Sequence, residues 1–295
     1  MQLKALAVAA LVCVAHAQEP NPLQQPGSDY PEPGGRAPLY RVRVVARSVK
    51  AVNYGTRGIP TRIDFAGTVF SPEARGEATV QSKKGAVKVR AKLKKLPPPH
   101  RFGRQYLTYV LWAITPEGRA VNLGELIAGS GGNAKLETAT QLQTFALIVT
   151  AEPYFAVTHP SDVVVVENRL RADTVGRVQA VDAKYELLRR GDSTLELSAA
   201  ESRQSENTGA KVSMREYEAL VELYQARNAV QLAQAEGASE LAAGSWIKAR
   251  QRLDQAEELY RRNPKDRTIV TLAREATQTA EDARLIAMRK KKAGA

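Results

Sequence analysis

The chain has 295 residues, a formal net charge of +12 and one cysteine, Cys13. That length allows two domains of ordinary size, and a single cysteine excludes a disulfide framework and a cysteine metal site. The charge is uneven: residues 39–152 carry +11 of it, which points to one cationic region and to anionic partners.

Lys4 precedes an apolar run from Ala5 to Val14, followed by Ala15-His16-Ala17 and Gln18. A basic start, a short apolar stretch and a small-x-small site predict a secretion signal cleaved after Ala17. The expected location is therefore the periplasm or the extracellular space. The run falls short of the roughly 20 apolar residues of a membrane span. Cys13 lies inside it, behind Val12, where a lipoprotein motif wants a small residue, so acylation is not expected. Residues 18–38 hold Pro20, Pro22, Pro26, Pro31, Pro33 and Pro38 with three glycines, which predicts an extended, disordered lead-in.

Residues 39–152 read as short strands. Leu39–Val52 is rich in valine, and Thr61–Phe70 places Ile63, Phe65 and Val69 on one parity. Glu77–Gln81 and Ala86–Leu96 flank Lys83-Lys84-Gly85, a hairpin turn. Gln105–Thr115 is the most apolar strand, Pro116-Glu117-Gly118 turns it into Arg119–Leu123, and two more strands follow near Lys135–Thr140 and Gln143–Ala151. About eight short strands with turns between them suggest an antiparallel β-sandwich, with an immunoglobulin-like Greek key as the first expectation. Residues 153–213 read as a mixed connector. Val163–Val166 is a buried strand there, Gly176–Arg190 a helix or a hairpin, and Ser198–Lys211 a flexible linker.

Within the strand region Val87, Val89, Ala91 and Leu93 take one face and Lys88, Arg90, Lys92 and Lys94 the other, because strand side chains alternate. No Asp or Glu lies between Lys83 and Arg104. Lys83, Lys84, Lys95, Arg101 and Arg104 extend the cluster, and Arg41, Arg43 and Arg47, which share one parity of the first strand, are candidates to join it. The row is a solvated face, an edge guarded by lysine, or an anion-binding strip for an envelope polymer or lipid headgroups. Only Phe102 and Tyr106 lie near for stacking, so nucleic acid is not an expected partner.

From 214 to 292 the pattern turns helical, with three helices near 214–236, 243–262 and 266–291, forming a helical hairpin or a three-helix bundle. Asp266 follows Asn263-Pro264-Lys265 as an N-cap, and Arg289–Lys292 complement the dipole at the last C-terminus. Ala226, Ala229 and Ala233 in the first helix, and Ala273, Ala276, Ala280, Ala283 and Ala287 in the last, repeat at spacings of three and four. Such seams let helix backbones approach closely. The seam serves the bundle itself, or a helical partner or second copy.

The runs Ala219–Ala229, Ala233–Ala238, Ala249–Ala256 and Leu272–Ala283 resemble the alanine-rich helical domain of unknown function 4398, a family of bacterial envelope proteins. Its members often precede a peptidoglycan-binding domain of the OmpA type. Residues up to Ala295 leave no room for one, so direct peptidoglycan anchoring is not expected. The resemblance implies an envelope setting and no activity. Tyr109–Leu126 is similar to a strand-turn-strand unit in the extracytoplasmic domain of anti-sigma-K factors, which carries no chemistry.

No HExxH, P-loop or EF-hand pattern occurs. His100 follows three prolines and His159 precedes Pro160, so both read as loop residues. No metal or cofactor is expected. The reading is thus an exported α+β protein, an antiparallel sandwich followed by helices, with a non-catalytic structural or adaptor role. The alternative is an envelope hydrolase whose carboxylates only the fold brings together.

Overall fold

This computed structural model describes residues 44–54, 59–83, 85–129, 131–174, 177–186 and 213–294. The signal segment, Cys13, the proline-rich lead-in, Arg41, Arg43, the Arg47 and Lys83 side chains, Lys84 and the Ser198–Lys211 linker lie outside what is described. The order is strands first and helices after, an α+β chain.

Ten strands are described: β1 (Val44–Asn53), β2 (Thr61–Gly67), β3 (Arg75–Lys83), β4 (Ala86–Lys94), β5 (Thr108–Ile114), β6 (Ala120–Leu126), β7 (Ala134–Thr140), β8 (Thr144–Glu152), β9 (Val164–Arg169) and β10 (Arg177–Glu186). All pairings are antiparallel. One ladder runs β7-β4-β3-β2-β9-β8-β5-β6. Its two ends come together: a Cβ added at Gly124 of β6 would sit 3.4 Å from Leu136 of β7. The sheet therefore curls into a nearly barrel-like form. An immunoglobulin-like pair of separate sheets is not seen in it. β1 pairs with β8 only at Val52 and Asn53, and pairs along its whole length with β10. The sheet also extends past residue 152. The connector supplies β9, which lies between β8 and β2.

The residue patterns explain which walls face what. β4 alternates without a break, with Val87, Val89, Ala91 and Leu93 buried and their neighbours exposed. β5 is buried at every position from Thr108 to Ile114, as expected of a strand covered on both faces. Its Tyr109, Leu111 and Ala113 join the core inside the curl, with Ile63, Phe65, Val89 and Phe145. Its Val110, Trp112 and Ile114 point the other way, into a second core shared with the helices. β8 divides in the same manner, with Leu147 and Val149 inside and Ala146 and Ile148 outside.

The helices are α1 (Met214–Ala235), α2 (Ala238–Leu241), α3 (Ala243–Arg262) and α4 (Thr268–Gly294). Ser213 caps α1 by accepting a hydrogen bond from the Glu216 amide at 3.3 Å, the first half of a capping box. Gly237, at φ 74°, reverses the chain after it. Asp266 accepts from the Thr268 amide at 2.8 Å, so the expected cap is present and α4 starts two residues later than the sequence suggests. α4 packs against both α1 and α3. Ala226, Ala229, Ala233, Ala273, Ala276, Ala280, Ala283 and Ala287 are all fully buried. The seam is filled from within this chain.

A leucine at Ala276 or Ala280 has no space to occupy, and the seam must open to admit it. Each substitution is expected to lower stability by about 1–3 kcal/mol. Chemical denaturation reads this directly; an unmoved midpoint for both would mean that the helices do not meet along the alanines.

Candidate anion-binding face and the polar interface behind it

The outer wall formed by β3, β4 and β7 faces solvent. Its register sets the charges side by side. Arg90 lies opposite Glu137, and Lys88 lies one step away. Glu137 pairs with Arg90 at 3.3 Å and with Lys88 at 3.4 Å. The Arg90 and Lys88 side chains hold its carboxyl below the usual range.

The other half of the row is arranged differently. Arg75 lies directly opposite Lys94, and Lys92 lies directly opposite Lys135. Lys92 has Glu77 on its other flank in register, yet among the described residues no carboxylate comes within ion-pair distance of Arg75, Lys92, Lys94 or Lys135. Like charges set directly across an antiparallel pair are destabilising. Two such pairs, one after the other, are a cost that stability alone does not explain. Sequence alternation found Lys88, Arg90, Lys92 and Lys94. It missed Arg75 and Lys135, because only the register brings them to the row, and it could not show that Glu137 occupies half of it.

The opposite wall, β5 and β8, receives the helices through a buried polar interface. The β8–β9 loop, residues 153–163, runs between sheet and helices and is held from both sides. Glu281 of α4 is fully buried. It accepts from the Tyr154 hydroxyl at 2.7 Å, the Thr158 amide at 3.1 Å and the Thr158 hydroxyl at 2.6 Å. Arg284, one turn on, donates to it through Nε at 2.7 Å and a terminal nitrogen at 2.9 Å. Burial works to raise the Glu281 pKa. The Arg284 guanidinium, Thr158 and Tyr154 more than offset this and hold it low.

A second cluster lies beside the first. Arg274 donates to Glu125 of β6 at 3.0 Å and to Glu222 of α1, and its guanidinium stacks 3.9 Å from the centre of the Phe155 ring. Gln225 donates to Glu125 at 2.9 Å and accepts from the Phe155 amide at 2.7 Å. Asn228 donates to the carbonyls of Gln105 and Pro153, both at 3.2 Å. These residues were not singled out from sequence. One signal was present: Arg274, Thr277, Glu281 and Arg284 recur at helical spacing beside the alanine seam. A helix buried over two faces has to partner the polar groups on the second one.

Below them sits Glu152, fully buried. Its Oε1 accepts from the Ser161 amide at 2.7 Å and from the Thr150 hydroxyl, while Oε2 has no hydrogen-bond partner. The Trp112 indole in turn donates to Thr150 at 2.7 Å. Burial pushes the Glu152 carboxyl up to about 8, against the bonds from Ser161 and Thr150, with the charges of Asp162 and Glu281 adding to the rise.

His100 is exposed in the 3₁₀ turn Pro99–Phe102. His159 Nδ1 lies 3.1 Å from the Thr158 hydroxyl, but that hydroxyl spends its proton on Glu281. Among the described residues no group of three or more His, Cys, Asp or Glu side chains is placed to hold a metal, and no helix is long and apolar enough to cross a membrane. A groove of about 330 Å³ lies elsewhere, lined by Val49, Lys50 and residues 167–170. No protein-family model, curated protein or solved structure matches this chain.

Proposed function

We propose that this protein is an exported, non-catalytic envelope module that binds an anionic envelope component through the outer wall of β3, β4 and β7, with the helical bundle as the scaffold or adaptor on its back. The observation that carries the reading is the register, which sets Arg75 directly opposite Lys94 and Lys92 directly opposite Lys135. Folding gains nothing from these pairings, and a bound phosphate or carboxylate would relieve them. The signal-like first 17 residues and the resemblance of the helices support the envelope setting.

The hydrolase reading draws its support from the contact of His159 with Thr158 beside Glu281. It is the weaker one, because both oxygens of Glu281 already serve the β8–β9 loop and Arg284.

The expected result concerns which cations matter. Neutralising Lys92 and Lys94 to serine should weaken binding to lipopolysaccharide and to phosphatidylglycerol vesicles by about tenfold or more. Neutralising Lys88 and Arg90 should do less, because Glu137 already screens them. Binding by the native chain should fall as salt rises and the Debye length shortens toward about 8 Å. Cosedimentation at low and moderate salt measures all three. Equal binding by native protein and the Lys92/Lys94 variant would end the reading and leave the row as a solvated face; β4 is paired on both sides, by β3 and β7, so it is not an edge that lysine has to guard.

A further inference from the structure

One end of the curled sheet combines cations with exposed apolar groups. The β2–β3 turn, the β4–β5 connection and the β6–β7 turn all emerge there, because β2, β4 and β6 finish at that end. Val69 is 89 % exposed and Phe70 43 % exposed at the tip of the β2–β3 turn, and Ile127, just after β6, is 67 % exposed. Val69 and Phe70 are neighbours at the tip, and exposed apolar side chains side by side, unlike scattered single ones, are what a contact surface uses.

The turn that carries Val69 and Phe70 is built to a fixed shape. The Thr68 amide donates to the Val165 carbonyl and the Ser71 amide to the Thr68 carbonyl, both at 3.0 Å. The Phe70 amide donates to the Thr68 hydroxyl at 3.2 Å. Gly67 lets the turn fold back on itself; a Cβ there would collide with the Ser71 carbonyl. The Phe70 ring meets the Phe102 ring edge-on, with centroids 6.3 Å apart. The apolar tip is therefore presented by ordered backbone.

Cations surround its base. Arg75 and Lys94 are the last paired residues of β3 and β4 at this end. Lys92 and Lys135 lie two residues farther along, a step of about 7 Å. Lys95, Arg101 and Arg104 are exposed on the β4–β5 connection. Glu73 is the one carboxylate on the β2–β3 turn, and Lys95 pairs with it at 3.2 Å. This order, apolar groups outermost and cations set back by several ångströms, matches the depth profile of an anionic bilayer. Acyl chains lie beyond a layer of phosphates, and amphipathic elements bury apolar groups about 5–10 Å past that layer. A soluble polyanion would use the cations and leave Val69 and Phe70 without a partner.

We infer that the anionic component is the surface of a lipid bilayer, met end-on. Val69 and Phe70 enter the acyl boundary while Arg75, Lys92, Lys94 and Lys135 take the headgroup phosphates. This rests on the anion-binding reading above and goes beyond it by naming the partner and the docking pose.

The test uses the full chain carrying Phe70→Trp, with native protein as the control for Trp112 and Trp246. Vesicles of brominated phosphatidylglycerol should quench the added indole and shift its emission to the blue, and phosphatidylcholine vesicles should do neither. Phe70→Ser should lower partition onto phosphatidylglycerol vesicles by about tenfold or more, in line with the worth of burying one aromatic side chain. It should leave binding to soluble polyphosphate unchanged. Retained polyphosphate binding with an unquenched indole would overturn the bilayer inference and leave the anion-binding face standing. Failure to bind either vesicles or polyphosphate would overturn both.

Discussion

Replacing Arg284 with methionine is expected to destabilise the protein by about 3–5 kcal/mol, the cost of leaving one partner of a buried ion pair uncompensated. The side chains of Arg284 and Glu281 are 5 % and 0 % exposed, so water cannot take over the lost partner. The double change Glu281→Leu with Arg284→Met gives the more telling result. For an isolated buried pair, an apolar replacement is often neutral or stabilising. Here Glu281 also receives the Tyr154 hydroxyl, the Thr158 amide and the Thr158 hydroxyl. Removing it strands three donors, each at about 1–3 kcal/mol. The double variant should therefore remain well below the native protein in denaturant midpoint, with early proteolysis inside residues 153–163. A double variant as stable as native protein would mean that the pair contributes no more than packing, and that α4 does not hold the loop through it.

The second large effect is a fall in stability as pH rises from about 5 to about 8. Glu152 has a folded pKa of about 8 against an ordinary value of 4.5. Between these values the native state holds a proton that the unfolded chain has released. Stability then decreases with pH across that window and the full penalty is present above it. Glu222, which burial pushes to about 7 against the pull of Arg274, acts in the same direction. Glu281, held low, acts oppositely: its contribution is present above the ordinary carboxylate range and is lost as pH falls below it. Maximum stability is thus expected in mildly acid solution, with a loss of about 3–6 kcal/mol on going to pH 8. Glu152→Gln should remove most of that slope, since the amide oxygen keeps the Ser161 and Thr150 bonds and nothing titrates. Urea midpoints at three pH values decide it. A slope unchanged by the substitution would assign the effect to Glu222.

Several features were fixed by local sequence. The alternation of Val87 to Lys94 places β4 with one face buried and one cationic, because a strand has a period of two. The alanine spacing from 273 to 287 and the break at Asn263-Pro264 give α4 and the seam, because a helix has a period of 3.6 and proline removes a backbone donor. The unbroken apolar run from Tyr109 to Ile114 announces a strand covered on both sides, although it does not say by what.

What the tertiary structure decided depends on contacts between residues far apart in the chain. Register put Arg75 beside Lys94 and Lys135 beside Lys92, and assigned Glu137 to Lys88 and Arg90; no local pattern encodes which residue of one strand meets which of another. Curling of the sheet brought β6 against β7, gathered Val69, Phe70 and Ile127 with those cations at one end, and turned expected layers into one closed-up sheet. The polar interface is the furthest from local reading. Tyr154 and Thr158 lie 127 and 123 residues from Glu281, and an exposed Glu on a helix looks the same in sequence as a buried one. Only the packing of distant segments removes water from Glu281 and Glu152, and with the water gone each must find a partner or keep its proton.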